Sequence, residues 1–177
     1  EEDILTNQNY IKNGTVIDEL LKALIVSKIN YNDLITGDKN AIMLAARVLG
    51  YGKDYTFTYD GEEHVVDLTS LDTSEFNTDG IEQGVNEFNF TLPNSKTTIT
   101  YKLLTHGDDR RIESELKGLK RINKKASPEL STRLKHMITS VDGETDTKTI
   151  REFVDTYLLA MDSRALREHI RSTQPDV

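Results

Sequence analysis

Apolar positions follow two kinds of spacing along this chain, helical toward both ends and alternating in the middle. Val16, Ile17, Leu20, Leu21, Leu24 and Ile25 recur three and four residues apart and form one stripe. Thr15 precedes them as an N-cap, and Asp18 suits the positive end of the helix dipole. The spacing predicts a helix over about 15–28, then a polar loop through Asn30-Tyr31-Asn32. That aliphatic stripe serves an interface as readily as a core. Asp38 is placed as the N-cap of a second helix carrying Ala41, Ile42, Leu44, Ala45, Ala46, Val48 and Leu49, stopped by Gly50-Tyr51-Gly52. Apolar on most sides, this helix is expected to be buried, with Arg47 its one charge after Lys39.

The period then changes to two. Tyr55-Thr56-Phe57-Thr58-Tyr59 reads as a strand, Asp60-Gly61 as a turn, and His64-Val65-Val66-Asp67-Leu68 as the return strand. A polar loop over about 70–85 follows. Phe88, Phe90 and Leu92 alternate again, Pro93-Asn94-Ser95 turns the chain, and 97–104 is a β-branched run. From Asp108 onward the spacing is helical: one helix over about 108–125 through Ile112, Leu116, Leu119 and Ile122, a second started by Ser127-Pro128 and reaching about Ser140, and a third over about 146–160. A short last helix, capped by Asp162-Ser163, ends before Pro175. The expected fold class is α+β, with N-terminal helices, two β-hairpins forming a small antiparallel sheet, and a C-terminal helical bundle. Its division is an acidic helix-plus-hairpin region, 1–105, and a helical region, 106–177, packing on it, with a single domain left open.

Length and charge narrow the function. A chain of 177 residues is long enough to bury roughly 70% of its unfolded surface. With 22 Lys plus Arg against 30 Asp plus Glu, the net charge is −8, and residues 1–105 alone carry −9. An acidic first half argues against general binding to a phosphate backbone, which needs a basic footprint. The absence of cysteine excludes disulfides, thiol catalysis and thiolate metal sites. No apolar run approaches the ~20 residues that span a bilayer, and no signal-peptide pattern is visible. A soluble, intracellular, globular protein is expected. The chain begins Glu1-Glu2-Asp3 without methionine, which points to processing or truncation.

Candidate chemistry is sparse. His64, His106, His136 and His169 lie at no close ligand spacing, and edge or surface positions explain them better than metal binding. Asp142-Gly143-Glu144-Thr145-Asp146 has carboxylates close together, but an EF-hand loop begun at Asp142 would need Gly where Thr147 stands and Glu where Phe153 stands. A helix connector with Asp146 as N-cap fits instead. Gly50-Tyr51-Gly52-Lys53 is too short for a P-loop and leads into a strand. Lys117, Lys120, Arg121, Lys124 and Lys125 form the densest basic run, on a helix that also carries Glu113 and Glu115, as a solvated face would. Arg164 and Arg167 share a helix face beside Asp162; they either hold a carboxylate together or make internal ion pairs, for instance to Asp155.

The order of certain segments resembles a known family. These are Glu2-Asp3-Ile4-Leu5-Thr6-Asn7, Ile17-Asp18-Glu19-Leu20-Leu21, 34–42, and Ala46-Arg47-Val48-Leu49-Gly50-Tyr51-Gly52-Lys53-Asp54-Tyr55. Phe90-Thr91-Leu92-Pro93, Leu103-Leu104-Thr105, Arg133-Leu134, Met137-Ile138, Ser140-Val141-Asp142-Gly143, 162–167 and Pro175-Asp176-Val177 continue the pattern. Together they resemble the baseplate hub assembly proteins, or hub assembly chaperones, of T-even-type contractile-tailed phages, over nearly the whole chain. Two departures stand out. Many members carry a Cys-Pro-x-Cys element where this chain has Tyr59-Asp60-Gly61-Glu62-Glu63, so a zinc ribbon gives way to a plain hairpin. Members also continue past the Pro-Asp segment into a strand-rich tail, so both ends are expected to be incomplete.

The resemblance implies a non-enzymatic phage tail protein that assembles or builds the baseplate hub through contacts with other hub or tail proteins. From the charge balance, the missing motifs and the missing apolar run, no cofactor, no metal, no nucleic acid and no membrane are expected, and an oligomer is left open. The expected location is the host cytoplasm during assembly, with retention in the virion baseplate open. The residues singled out for contacts or structural ion pairs are Asp38, Arg47, Tyr51 and Tyr55 around the second helix and Asp162, Arg164 and Arg167 near the end. A buried Arg47 would need a carboxylate, from Asp38 or Asp162. Two alternatives stand beside this reading: a nucleic-acid-binding module using the basic face at 117–125, and a small Asp/His hydrolase built around His64 or His106.

Overall fold

Short local caps set the first helices. Asn7 is extended, and its side chain accepts from the backbone N–H of Asn9 at 3.0 Å and of Tyr10 at 3.3 Å. In the computed structural model, which describes residues 2–71, 84–122 and 128–174, this cap separates α1 (Glu2–Leu5) from α2 (Gln8–Asn13). Gly14, left-handed at φ 69°, ends α2 and starts α3 (Val16–Leu24), which is shorter than the spacing suggests because Ile25 turns extended. After a turn of 3₁₀ helix at Tyr31–Asp33 comes α4 (Thr36–Tyr51), closed by Gly52 at φ 85°. Asp38 therefore lies in the first turn of α4 rather than at its cap, and its carboxylate accepts from the backbone of Ile35, the residue that does cap the helix.

The strands β1 (Asp54–Tyr59) and β2 (Glu62–Asp67) pair antiparallel around Asp60 and Gly61. Both turn residues have positive φ, 51° and 82°, the geometry that matches strand twist in a two-residue hairpin. Lys53 bonds Asp67 at 2.6 Å across the open end of the hairpin. The expected polar loop over about 70–85 lies mostly outside the described residues.

Contacts divide the chain into two compact units, the described residues through 71 and those from 84 to 174. The second hairpin therefore belongs with the C-terminal helices, and the division falls well before the 105/106 boundary that charge suggested. The strands β3 (Phe88–Thr91) and β4 (Thr98–Tyr101) form this hairpin, followed by α5 (His106–Ile122), which begins at the expected place; 123–127 lie outside the described residues. Next come α6 (Glu129–Met137), β5 (Ile138–Val141), α7 (Thr147–Glu152) and α8 (Ala160–Thr173). Asp146 caps α7 through Thr149, as expected, but a π turn at Phe153–Tyr157 then replaces regular helix.

Two corrections concern the sheets. The helix expected to run to Ser140 ends at Met137, where Ile138 turns extended and β5 pairs with the free edge of β4. The two hairpins do not share a sheet: β1 and β2 stand alone, while β3, β4 and β5 make a three-stranded antiparallel sheet. An isolated two-stranded ribbon gains little, whereas β5 brings the β-branched residues Ile138, Thr139 and Val141 onto an unpaired edge. The α+β class holds.

Burial is uneven. In the second unit Leu92, Ile99, Tyr101, Ile112 and Leu166 are almost fully enclosed. The helix α8 lies against the β3–β4 hairpin, with the Phe90 and His169 rings stacked at 4.4 Å. In the first unit Leu21 and Tyr31 are the buried large side chains among the described residues. The α4 helix is not buried as its composition suggested: Gly37 is enclosed, but Met43 and Leu49 are exposed. Its unit supplies α3 on one side and nothing comparable among the described residues on the rest.

Candidate functional site

The incomplete burial of α4 creates a groove. Leu5 from α1, Ile17, Leu20, Leu21 and Leu24 from α3, and a stripe of α4 line a space of about 980 Å³. Small residues on α4, Ala45, Ala46 and Gly50, leave the room. The surface is unusually apolar for solvent: Ile17 is 46% exposed, Met43 43% and Leu49 87%.

One end of the groove is polar. Arg47 lies one turn before Tyr51, and its guanidinium donates to the Gly52 carbonyl at 3.2 Å. It also sits 5.0 Å from the Tyr51 ring centre and 5.9 Å from that of Tyr55 on β1, a cation–π arrangement on both. Three of the four residues singled out around the second helix are thus brought together. Asp38 is not among them: it remains at the first turn of α4, where desolvation raises its carboxyl above the ordinary range against the opposing bond from Ile35. The expected ion pair of Arg47 is therefore corrected. Arg47 is half-buried, so water and the tyrosine faces replace the carboxylate a fully buried cation would require.

Behind the groove, α3 and α4 are tied by a polar knot. Asp18 accepts from the Tyr31 hydroxyl at 2.7 Å and from Lys39 at 3.2 Å, while Lys22 and Lys39 each lie 5.4 Å from the Tyr31 ring centre. Burial, then the Asp18 bond, pushes the Tyr31 phenol well up, so it stays a neutral donor.

The C-terminal candidates have structural work instead. Asp162 is fully buried and accepts from the backbone N–H of Asn94 at 2.8 Å, the Asn94 side chain at 2.9 Å and the Ser95 N–H at 3.0 Å, locking the β3–β4 turn onto α8. Burial alone would raise its carboxyl, but these donors hold it at about 2. Arg164 pairs with Glu168 on the helix surface at 3.0 Å, and Arg167 donates to the Ser163 carbonyl at 3.3 Å. The two arginines do not share a carboxylate, and Asp155 pairs with Lys135 at 2.6 Å.

A cluster invisible to local spacing joins three helices of the second unit. Glu115 of α5 takes both η nitrogens of Arg151 on α7 at 2.7 and 2.8 Å and lies 3.0 Å from Nε2 of His136 on α6. Arg151 chiefly brings the Glu115 carboxyl down to about 2 despite desolvation. Asp108, nearly fully buried, is held low by Lys102 and Thr105 against the upward push of burial.

The histidines are separately employed. His64 stacks on Phe57 at 5.6 Å on the exposed hairpin, His106 is buried at the start of α5, and His169 packs between Phe90 and Tyr101, where burial lowers its pKa. Among the described residues no group of three or more His, Asp or Glu side chains gathers as a metal site would. On the basic face of α5, Lys117 pairs with Glu113 at 2.7 Å, and Lys124 and Lys125 lie outside the described residues. No helix among the described residues is long and apolar enough to cross a membrane.

Compared with known proteins, the chain matches no family model, no curated protein and no solved structure.

Proposed function

We propose that the chain is a non-enzymatic tail protein that acts in the assembly or structure of a phage baseplate hub by docking other hub or tail proteins. The observation that carries the docking role is the apolar groove between α3 and α4 with its arginine–tyrosine end. Fully burying an exposed Leu, Ile or Met side chain stabilises a complex by roughly 1.5–3 kcal/mol. Ile17, Met43 and Leu49 together supply a useful part of a binding free energy while leaving the isolated chain with solvent-facing apolar surface. The assignment to the tail hub rests on the resemblance in the order of its segments, from Glu2-Asp3-Ile4-Leu5 to Pro175-Asp176-Val177. On this reading the protein works in the host cytoplasm while tails are being built.

The test is co-expression with the phage's other tail-hub proteins, followed by size-exclusion chromatography with mass determination. A stoichiometric complex is expected, and probing mature particles for the chain then separates a resident protein from a departing chaperone. A folded chain that elutes alone beside every hub protein would sink the proposal.

A further inference from the structure

The chemistry of the groove specifies its occupant more closely. Its two walls have the same spacing. Ile17, Leu20, Leu21 and Leu24 on α3 and Ile42, Ala45, Ala46 and Leu49 on α4 each fall at positions i, i+3, i+4 and i+7. Two such stripes facing one opening are what an amphipathic helix needs to pack as a third member, with its own apolar stripe between them. The part of α4 that lines the groove, residues 42–51, gives a wall about 15 Å long, enough for nearly three turns. A small-molecule site would instead show several convergent polar groups to fix orientation, and here polarity is confined to one end.

That end supplies the second specification. Arg47 makes one hydrogen bond, to the Gly52 carbonyl, and no carboxylate of its own unit pairs with it among the described residues. Its remaining guanidinium donors sit beside two tyrosine faces at the mouth of an apolar groove, a setting suited to a carboxylate. A second copy of the chain is a poor occupant. Residues 1–74 carry 13 acidic and 6 basic side chains, net −7, so two such units repel as they approach.

We infer that the groove takes an amphipathic helix of a different protein, with an Asp or Glu placed to meet Arg47. This rests on the docking role proposed above and adds the chemistry of the partner.

The probes are two fluorescein-labelled helical peptides, each about five turns long with leucines at i, i+3, i+4 and i+7. One carries a single Glu in its first turn and the other in its last, and each has a matched Gln version. Anisotropy titrations use the full chain, its Arg47→Met variant and its Ala45→Glu variant, which fills the groove from an exposed helix position. One Glu peptide is expected to bind the full chain at least ten-fold more tightly than Ala45→Glu. Its Gln version should bind about five-fold more weakly, the range of a partly exposed ion pair, and that difference should vanish on Arg47→Met. Circular dichroism checks that both variants fold.

Binding that ignores both Glu→Gln and Arg47→Met, or no binding at millimolar peptide, overturns the inference. So does a dimer by mass that Ala45→Glu dissociates, since a second copy would then own the groove. Peptide binding without any hub complex would leave this inference standing and remove the hub reading. A hub complex that survives Ala45→Glu and Arg47→Met would do the reverse.

Discussion

Glu115→Gln is the sharpest perturbation of the second unit, because one carboxylate holds three helices. Its oxygens take two charge-assisted bonds from Arg151 and one contact from His136, and its carboxyl falls from an ordinary 4.5 to about 2. At 1.36 kcal/mol per unit, that depression corresponds to about 3.4 kcal/mol of preferential stabilisation of the ionised form. The side chains of Glu115 and Arg151 are 26% and 36% exposed, so solvent screening reduces the expected loss to about 1.5–2 kcal/mol at pH 7. The sign follows from linkage. A carboxyl depressed in the folded state contributes fully above its unfolded pKa of 4.5, and the contribution is lost as pH falls toward about 2. The difference between the wild-type chain and Glu115→Gln should therefore be constant from pH 7 to 5 and shrink by more than half by pH 3. Urea titrations followed through the amide resonances of Tyr101 and Leu166 read this unit alone. A loss below about 0.5 kcal/mol at pH 7, within the range of an ordinary surface pair, or a loss independent of pH, would show that Glu115 does not hold the three helices together.

Asp162→Ala should leave the Asn94 and Ser95 amides without their acceptor and speed their hydrogen exchange, while exchange at Leu134 changes little; unchanged exchange at Asn94 would count against the lock. Since the Asp162 carboxyl is held at about 2, protection at that turn should persist below pH 3.8 and weaken as pH approaches 2. Leu166→Ala removes a fully buried side chain from α8 and should cost about 3–5 kcal/mol in urea unfolding of the second unit. Gly61→Ala places a Cβ at φ 82° in the β1–β2 turn and should cost about 1–2 kcal/mol, seen as loss of the cross-strand contacts between Phe57 and His64 in NMR spectra.

What was legible in the sequence was whatever local spacing decides. Asp60-Gly61 marked the first hairpin because only a few residues accept two successive positive φ values. Asp146 was recognisable as a cap because its acceptor and its donor, Thr149, lie three residues apart. The β5 strand was not legible: 138–141 continues an apolar helical spacing, and the free edge of β4, some 40 residues earlier in the chain, decides its conformation. Asp162 looked like a helix cap for the same reason, since its real donors at Asn94 and Ser95 are 68 and 67 residues away. Arg47 stands out in the sequence as an isolated charge in an apolar helix, but a carboxylate partner follows only if that helix is buried, and α4 is not. The groove was not legible: the spacing gives α3 one apolar stripe, whereas α4, apolar on most sides, reads as a buried helix. Periodicity shows that a helix has an apolar face and is silent about what covers it.

Docking of a partner in the α3–α4 groove can be tested by repeating the hub co-expression with the Ala45→Glu variant. The variant should fold, elute at the mass of the free chain and leave its hub partner unbound, while the wild-type chain elutes in a stoichiometric complex. A groove-filled variant that still forms the wild-type complex in full yield would show that the groove is not where the partner docks.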